Sequence, residues 1–285
     1  MTSGGLRFGF GTNGFADHRL NDALSVIADL GYAGVALTLD HAHLDPFAPD
    51  LGRRVAALAA RLAELELAVV VETGARYLLD PRRKHEPTLL SAEGADRRVE
   101  FLRTAIDVAA DLGAEAVSFW SGVRPSGLPV SAAWERLTEH CAAVLAHADR
   151  RGVTLGFEPE PGMLVDDLTG FERLHSRLGD PPRLGLTLDI GHCRCNEPLP
   201  VPDCVRRAGD RLVNVQIDDM RRGEHVHLEF GDGEIDFPPV LAALEEISYR
   251  GLVSVELPRH SHDAPGVAER ALAFLIAAGM EGPPA

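Results

Sequence analysis

The sequence predicts an α/β protein built as a single (β/α)8 TIM barrel. Three observations favour this fold: short apolar runs alternate with amphipathic segments along the whole chain, there are eight such runs, and glycines follow several helical segments directly. The length of 285 residues also fits, because such barrels contain ~250 residues. We therefore expect residues 1–285 to form one domain, with residues 1–5 as a flexible N-terminus.

The eight apolar runs are the predicted strands. They cover residues 6–11, 33–39, 68–72, 116–120, 154–158, 184–189, 212–217 and 252–256. Between them, apolar residues recur at helical spacing, as at Val55, Leu58 and Leu62. A glycine just after such a segment is a common helix end, and the glycines in that position are Gly31, Gly113 and Gly152. Helix, glycine and strand thus follow one another as in repeated βα units.

A doubly wound open sheet is the alternative fold, because Gly9, Gly11 and Gly14 match the GxGxxG pattern and Asp40 follows the second strand. In a dinucleotide-binding fold, however, this pattern follows a complete strand and opens a helix directly. Only residues 6–8 precede Gly9, and helical periodicity begins later, near Leu20. These differences favour the barrel.

Composition excludes several classes of function. The net charge is −15, and the longest basic run is Arg82-Arg83-Lys84, which opposes binding to nucleic acid or to an anionic membrane surface. No apolar stretch reaches the ~20 residues of a membrane-spanning helix, and the N-terminus lacks the pattern of a signal peptide. The four cysteines form no paired CxxC units that would indicate a zinc ribbon. We therefore predict a cytoplasmic protein.

Four side chains that can bind a metal end, or nearly end, the last four predicted strands: Glu158, Asp189, Gln216 and Glu256. A carboxylate buried at a strand end requires a cation or hydrogen bonds. The carboxyl ends of barrel strands surround one mouth, so these oxygens should converge. The pattern predicts one divalent metal ion; oxygen ligands favour Mg²⁺ or Mn²⁺, and Co²⁺ and Zn²⁺ remain open. A lone Glu256 or Asp189 at a strand end could instead cap a helix or form a salt bridge, and Gln216 alone would be unremarkable.

Four further residues are candidate substrate contacts. His192 follows Gly191, a residue that allows the chain to turn back toward the metal. Arg222 lies in the long loop after the seventh strand and is suited to a carboxylate, phosphate or enediolate oxygen. His227 lies in the same loop, and Trp120 ends the fourth strand, where its ring could support a sugar.

These residue types suit proton transfer next to a carbonyl group. A divalent metal that binds a carbonyl and a neighbouring hydroxyl favours the enediolate formed when the α-proton leaves. One glutamate can take this proton and a second can return it, so Glu158 and Glu256 are the candidate acid and base. The expected reaction is isomerisation or epimerisation, and loss of a β-hydroxyl after the same first step would be a dehydration.

Several motifs together resemble one barrel family. They are Glu158-Pro159, Asp189-Ile-Gly-His192, Gln216-Ile-Asp-Asp219, the segment 227–236 and Glu256. The sequence resembles the xylose-isomerase-like barrels, which include proteins described as sugar phosphate isomerase/epimerase or AP-endonuclease-2-like.

This resemblance implies a metal-dependent enzyme that acts on sugars, cyclitols or short hydroxy-keto acids. It also implies that Glu158 and Glu256 bind the metal and exchange protons from opposite faces of the substrate, and that His192 and Arg222 contact the substrate. Many similar proteins have histidine at the position of Gln216, whereas hydroxypyruvate-isomerase-like members have glutamine. The glutamine at position 216 therefore affects which substrate is expected more than it affects the expected metal.

Three alternatives stay open on the sequence. An inosose-type cyclitol dehydratase would use the same residues. An apurinic-site endonuclease would require histidines on earlier strands, where this chain has Glu72-Thr-Gly and Trp120-Ser-Gly. A non-catalytic binding barrel is the third. The expected partner is a small polyhydroxy or keto compound rather than a nucleic acid or membrane, and a homo-oligomer is compatible with this type of barrel although no surface is indicated.

Overall fold

The computed structural model describes residues 5–281, and its main feature is a closed barrel of eight parallel strands. The predicted flexible N-terminus lies, except for Gly5, outside the described residues. The strands of the barrel are β1 (Arg7–Gly11), β2 (Gly34–Thr38), β3 (Ala68–Glu72), β4 (Val117–Phe119), β5 (Leu155–Phe157), β6 (Leu184–Asp189), β7 (Leu212–Ile217) and β10 (Leu252–Val255). A separate hairpin contains β8 (Asp219–Arg221) and β9 (Glu224–Leu228).

The barrel closes where β1 pairs with β10, and each other barrel strand pairs with its neighbours in chain order. This closure confirms the (β/α)8 prediction and excludes the open sheet. Gly9 and Gly11 lie within β1, and Gly14 lies in a short 3-10 helix (Thr12–Phe15). Each of the eight predicted strands coincides with an observed strand, and no end differs by more than one residue.

Nine α-helices surround the barrel within the described part of the chain. They are α1 (Leu20–Leu30), α2 (Leu51–Glu64), α3 (Ala95–Leu112), α4 (Val130–Arg151), α5 (Leu168–Arg177), α6 (Ile190–Asn196), α7 (Val201–Ala208), α8 (Phe237–Glu246) and α9 (Ala264–Glu281). The predicted stop glycines have left-handed φ angles of 96°, 65° and 72° at Gly31, Gly113 and Gly152. Glycine adopts this conformation readily, which explains why these helices end there. Among residues 5–281, no helix is long and apolar enough to cross a membrane.

The long loop after β7 contains the β8–β9 hairpin, which the sequence did not predict. Asp219, the first residue of β8, joins the hairpin to the segment after β9: its Oδ1 accepts hydrogen bonds from the backbone N–H groups of Met220 and Ile235, and its Oδ2 accepts from those of Gly231 and Gly233. The hairpin is therefore an ordered element at the mouth of the barrel.

Candidate active site

A cavity of about 370 Å³ opens at the carboxyl ends of the barrel strands. Six of the eight residues predicted for the site line it: Trp120, Glu158, His192, Gln216, His227 and Glu256. Asp189 belongs to the same cluster of potential ligands, at only 2% exposure. The barrel thus brings seven of the predicted residues to one mouth.

Strand register explains why the four predicted metal ligands meet. Asp189, the last residue of β6, pairs with Gln216 on β7, and Gln216 pairs in turn with Ser254 on β10. Glu256 comes two residues after Ser254, and Glu158 directly follows β5. Adjacent strands therefore deliver the four side chains near one level of the mouth.

Two buried oxygens in this cluster have no hydrogen-bond partner among the described residues: Oδ2 of Asp189 and Oε1 of Gln216. The other carboxylate oxygen of Asp189 accepts a hydrogen bond from the backbone N–H of His192 (2.8 Å) and caps α6. Asp189 is therefore a helix cap that keeps one oxygen available. Unpaired buried oxygens are costly, and a bound cation would satisfy both.

Potential ligand atoms lie close together around Asp189. One group contains Asp189, Glu158 and His192, and another contains Asp189, His227 and Glu256, with the ligand atoms of each group within 4.8 Å of one another. A third group contains His192, His225 and His227, so the possible donors combine carboxylate oxygens, which suit Mg²⁺ and Mn²⁺, with imidazole nitrogens, which suit Zn²⁺. The residues present fit a divalent metal ion.

The carboxyl groups of the cavity also repel one another. Burial raises the pKa of Glu158 well above its usual range, and the charges of Glu160 and Glu256 raise it further. Burial and the charge of Glu256 raise the pKa of Glu160 to about 7, and similarly raise that of Glu72 to about 8. Some of these groups therefore keep protons at neutral pH until a cation replaces them.

Three histidines adjoin the carboxylates. Nε2 of His192 lies 2.9 Å from Nε2 of His225, and the ring of His227 contacts the carboxylate of Asp218. Burial, together with His192 and His227, lowers the pKa of His225 to about 3. Burial alone would lower the pKa of His227, but the charge and hydrogen bond of Asp218 outweigh it and raise that pKa to about 10. A neutral and a charged imidazole thus lie side by side.

Trp120 lines the cavity and is supported by residues around the β3–α3 loop (residues 73–94). Cζ of Arg98 lies 4.7 Å from the Trp120 ring centroid, and the centroid of the His85 ring lies 5.2 Å away. Arg98 is 3% exposed and donates hydrogen bonds to the carbonyl oxygens of Thr73 (3.3 Å), His85 (2.8 Å) and Pro87 (2.9 Å). Arg98 therefore fixes the β3–α3 loop against the mouth.

The structure does not bring Arg222 to the cavity. Its guanidinium donates hydrogen bonds to the carbonyl oxygens of Arg194 and Glu197, and its backbone N–H donates to Glu234 (3.2 Å). These contacts join the hairpin to the C-terminal half of α6. A role of Arg222 in substrate binding stays a prediction, and it would require the side chain to leave these carbonyl groups.

The sequence did not single out several residues of the cavity. Glu72 ends β3 and accepts a hydrogen bond from Asn214 (3.0 Å), so the strand-end signal that revealed Glu158 also applies to it. Glu160 follows Glu158 by two residues. Asn13, which donates to Oε1 of Glu256 (3.0 Å), has no comparable sequence signal, because only the turn after β1 brings it there.

The sequence matches the family described as "Xylose isomerase-like TIM barrel" over residues 24–278. The chain belongs to this family. The match covers most of the barrel, including all the predicted metal ligands, and confirms the resemblance indicated by the motifs.

Individual relatives are more distant. The chain is 26% identical to an uncharacterised protein of Methanocaldococcus jannaschii over 200 residues, which are 64% of this chain and 68% of that protein. It is 29% identical to inosose dehydratase of Lacticaseibacillus casei over 142 residues, 43% of this chain and 46% of that enzyme. The chain thus spans just under half the length of this dehydratase.

Solved structures share the whole barrel. L-ribulose 3-epimerase superposes with a TM-score of 0.76 at 23% identity, covering 97% of this chain and 96% of that one. The IOLI protein with a bound zinc atom superposes with a TM-score of 0.76 at 16% identity, covering 98% of this chain and 100% of that one. At these identities the likeness establishes the fold.

Proposed function

We propose that this protein is a divalent-metal-dependent isomerase or epimerase that acts on a sugar or a hydroxy-keto compound. The observation that carries the proposal is the pair of unpaired buried oxygens on Asp189 and Gln216, which lie in the same mouth as the carboxyl groups of Glu158 and Glu256. The zinc bound in the structurally similar IOLI protein and the epimerase activity named for L-ribulose 3-epimerase support it.

Glu158, Asp189, Gln216 and Glu256 would hold the metal ion. When bound, the ion supplies a positive charge that polarises the substrate carbonyl and lowers the cost of removing the neighbouring proton. Trp120 would support the carbon skeleton of the substrate, while His192 and His227 would bind its hydroxyl groups. The chain's own acids and bases would then move the proton.

The two glutamates lie in different surroundings. Burial and the charge of Asp189 raise the pKa of Glu256, whereas the charged His227 and a hydrogen bond from Asn13 act in the opposite direction. For Glu158, by contrast, burial and the neighbouring carboxylates Glu160 and Glu256 all raise the pKa. These differences favour Glu256 as the base that takes the α-proton and Glu158 as the acid that returns one.

The test is incorporation of deuterium from heavy water into candidate ketoses, inososes and hydroxypyruvate by the manganese-loaded protein. We expect Glu256→Gln to slow exchange at least about 100-fold, because positioned acid-base groups contribute 10²–10⁴-fold. Glu269→Gln, which removes an exposed carboxylate of α9, is the matched control and should retain exchange. Metal content of the wild type and the Glu158→Gln/Glu256→Gln double variant is measured in parallel.

Failure of the wild type to bind any divalent metal would overturn the proposal, as would full exchange in the double variant. Metal binding without exchange on any compound would favour the non-catalytic binding barrel instead.

A second candidate, a cyclitol dehydratase, is favoured by the 29% identity to inosose dehydratase. Its first step would be the same proton removal, followed by loss of a β-hydroxyl group as water. Mass spectrometry of the products separates the two candidates, since dehydration removes one water and isomerisation leaves the mass unchanged.

A further inference from the structure

Three basic side chains line the cavity although its deeper part is strongly acidic: Arg76, Lys84 and Arg259. Lys84 is the single lysine in the sequence of 285 residues. In the described part of the chain, none of the three forms an ion pair with a carboxylate, whereas the neighbouring Arg83 binds Asp80 at 2.8 Å. The cations at the mouth are therefore available to a ligand.

Two of these residues, Arg76 and Lys84, lie in the β3–α3 loop, whose backbone is anchored by hydrogen bonds. Arg98 bonds three carbonyl groups of this loop, as described above, and the backbone N–H of His85 donates to the carbonyl oxygen of Arg76 at 2.5 Å. Nη2 of Arg76 lies 3.5 Å from the carbonyl oxygen of Pro258, the residue before Arg259. The loops after β3 and β10 thus meet at the rim, and each contributes positive charge.

These cations share one cavity with the groups of its floor. Arg76, Lys84 and Arg259 line the same cavity as Glu158, Glu160 and Glu256. A small molecule seated on the acidic floor would therefore also lie within reach of the basic rim.

Asp40, a further acidic residue of the lining, has one carboxylate oxygen occupied by backbone groups. Its Oδ1 accepts hydrogen bonds from the backbone N–H groups of Ala42 (2.9 Å) and His43 (2.8 Å). A rim with two guanidinium groups and one ammonium group, inside a protein of net charge −15, has the chemistry that favours binding of an anion.

We propose that the substrate carries a carboxylate or phosphate group, which Lys84 binds together with Arg76 and Arg259 while the reacting hydroxy-keto end lies at Glu158 and Glu256. This inference rests on the proposed function and narrows its substrate class to a sugar acid, a sugar phosphate or a comparable anionic hydroxy-keto compound. A neutral sugar would leave the three cations without an anionic partner.

The first experiment compares deuterium exchange on a neutral ketohexose, its terminal phosphate ester and its terminal carboxylic acid, all with manganese-loaded protein. We expect kcat/KM to be about tenfold or more higher for at least one anionic compound, and Lys84→Met to remove this advantage, since a hydrogen bond to a charged group contributes about 1.5–3 kcal/mol. The two anionic compounds distinguish a carboxylate site from a phosphate site.

Two variants control for this change. Arg82→Met removes a positive charge two residues away in the same loop but outside the cavity lining, and it should leave all three rates unchanged. Lys84→Arg keeps the charge and should keep most of the preference. Equal rates on neutral and anionic compounds, or an unaffected preference in Lys84→Met, would overturn the inference while leaving the proposed function intact.

A second experiment does not depend on turnover. Because Lys84 is the single lysine, acetylation by an amine-reactive ester followed by peptide mapping reports on this side chain alone. We expect the anionic compounds to slow acetylation of Lys84 at least about fivefold and the neutral ketohexose to have little effect. Protection without any exchange would support the anion site and contradict the proposed function; no protection by either anion would overturn the anion site.

Discussion

Asp189 and Gln216 face each other in register on β6 and β7, and each has one buried oxygen that no other described residue hydrogen-bonds. Two such oxygens on adjacent strands are unfavourable in the metal-free protein and favourable once a cation is present. The proposed metal site would therefore be linked to the stability of the barrel.

The substitution Gln216→Leu distinguishes the effect of Gln216 on metal binding from its effect on the stability of the metal-free protein. Without metal, the variant should be as stable as the wild type or more stable, by up to about 1–3 kcal/mol, because an unpaired buried amide oxygen is removed. Manganese should raise its melting temperature much less than that of the wild type. Gln216→Glu, which keeps an oxygen at this position, should retain stabilisation by manganese. Equal stabilisation of Gln216→Leu and wild type would contradict Gln216 as a ligand.

The protonation of Glu72 should make the stability of the metal-free protein depend on pH. Its pKa is raised by burial and by Glu256 from 4.5 to about 8, so the folded protein binds a proton that the unfolded chain releases above pH 4.5. This contribution to stability is complete below about pH 4.5 and is lost as the pH rises through 8. In EDTA, the melting temperature should fall between pH 6 and pH 9.

The variant Glu72→Gln keeps an oxygen for the hydrogen bond from Asn214 but cannot lose a proton. Its melting temperature should fall less over the same pH range, whereas Glu160, with its pKa of about 7, still contributes in both proteins. Identical slopes in the two proteins would show that Glu72 titrates normally.

Arg98 should stabilise the β3–α3 loop through its hydrogen bonds. In Arg98→Met, three carbonyl groups lose their donor, and each buried unpaired group costs about 1–3 kcal/mol, so we expect a loss of several kcal/mol in the free energy of unfolding. Protease cleavage within residues 76–91 should also become faster. Arg97→Met, which removes one part-buried hydrogen bond to Leu79 of the same loop, should have a much smaller effect. Comparable cleavage of both variants would argue against Arg98 as the main anchor.

Asp219 should stabilise the segment that follows the β8–β9 hairpin. Asp219→Asn places an NH₂ group where one carboxylate oxygen accepts hydrogen bonds, so two backbone N–H groups, such as those of Gly231 and Gly233, lose their acceptor. Hydrogen exchange at these amides should become at least about tenfold faster, since a hydrogen bond to a charged group contributes about 1.5–3 kcal/mol. Asp232→Asn in the same exposed loop is the control and should exchange as the wild type does.

The sequence predicted the barrel well because burial on both faces gives parallel strands continuous apolar runs, as in Val69-Val-Val71 of β3. It did not predict β8 and β9, since their residues are mostly polar and β9 is only partly buried. Short two-stranded elements at the surface lack the apolar pattern on which strand prediction depends.

The same physical reasons explain which residues of the candidate site could be predicted from the sequence and which could not. Glu158, Asp189, Gln216 and Glu256 were found because each marks the end of an apolar run. Lys84 and Asn13 were not, because their approach to the cavity depends on the path of a loop or turn. Arg222 is the opposite case. Its residue type and its position in the loop after β7 predicted a substrate contact, but its guanidinium donates hydrogen bonds to backbone carbonyl groups.

The β8–β9 hairpin brings His225 and His227 to the cavity, yet the hydrogen bonds that hold it come from Asp219, from the hairpin itself and from α6 rather than from the strands of the closed sheet. Its length and sequence can therefore change in evolution without disturbing the strand pairs that close the barrel. Separate segments of the chain therefore determine the stability of the barrel and the histidines that face a substrate. Replacing this hairpin alone should change substrate selectivity while the barrel is retained.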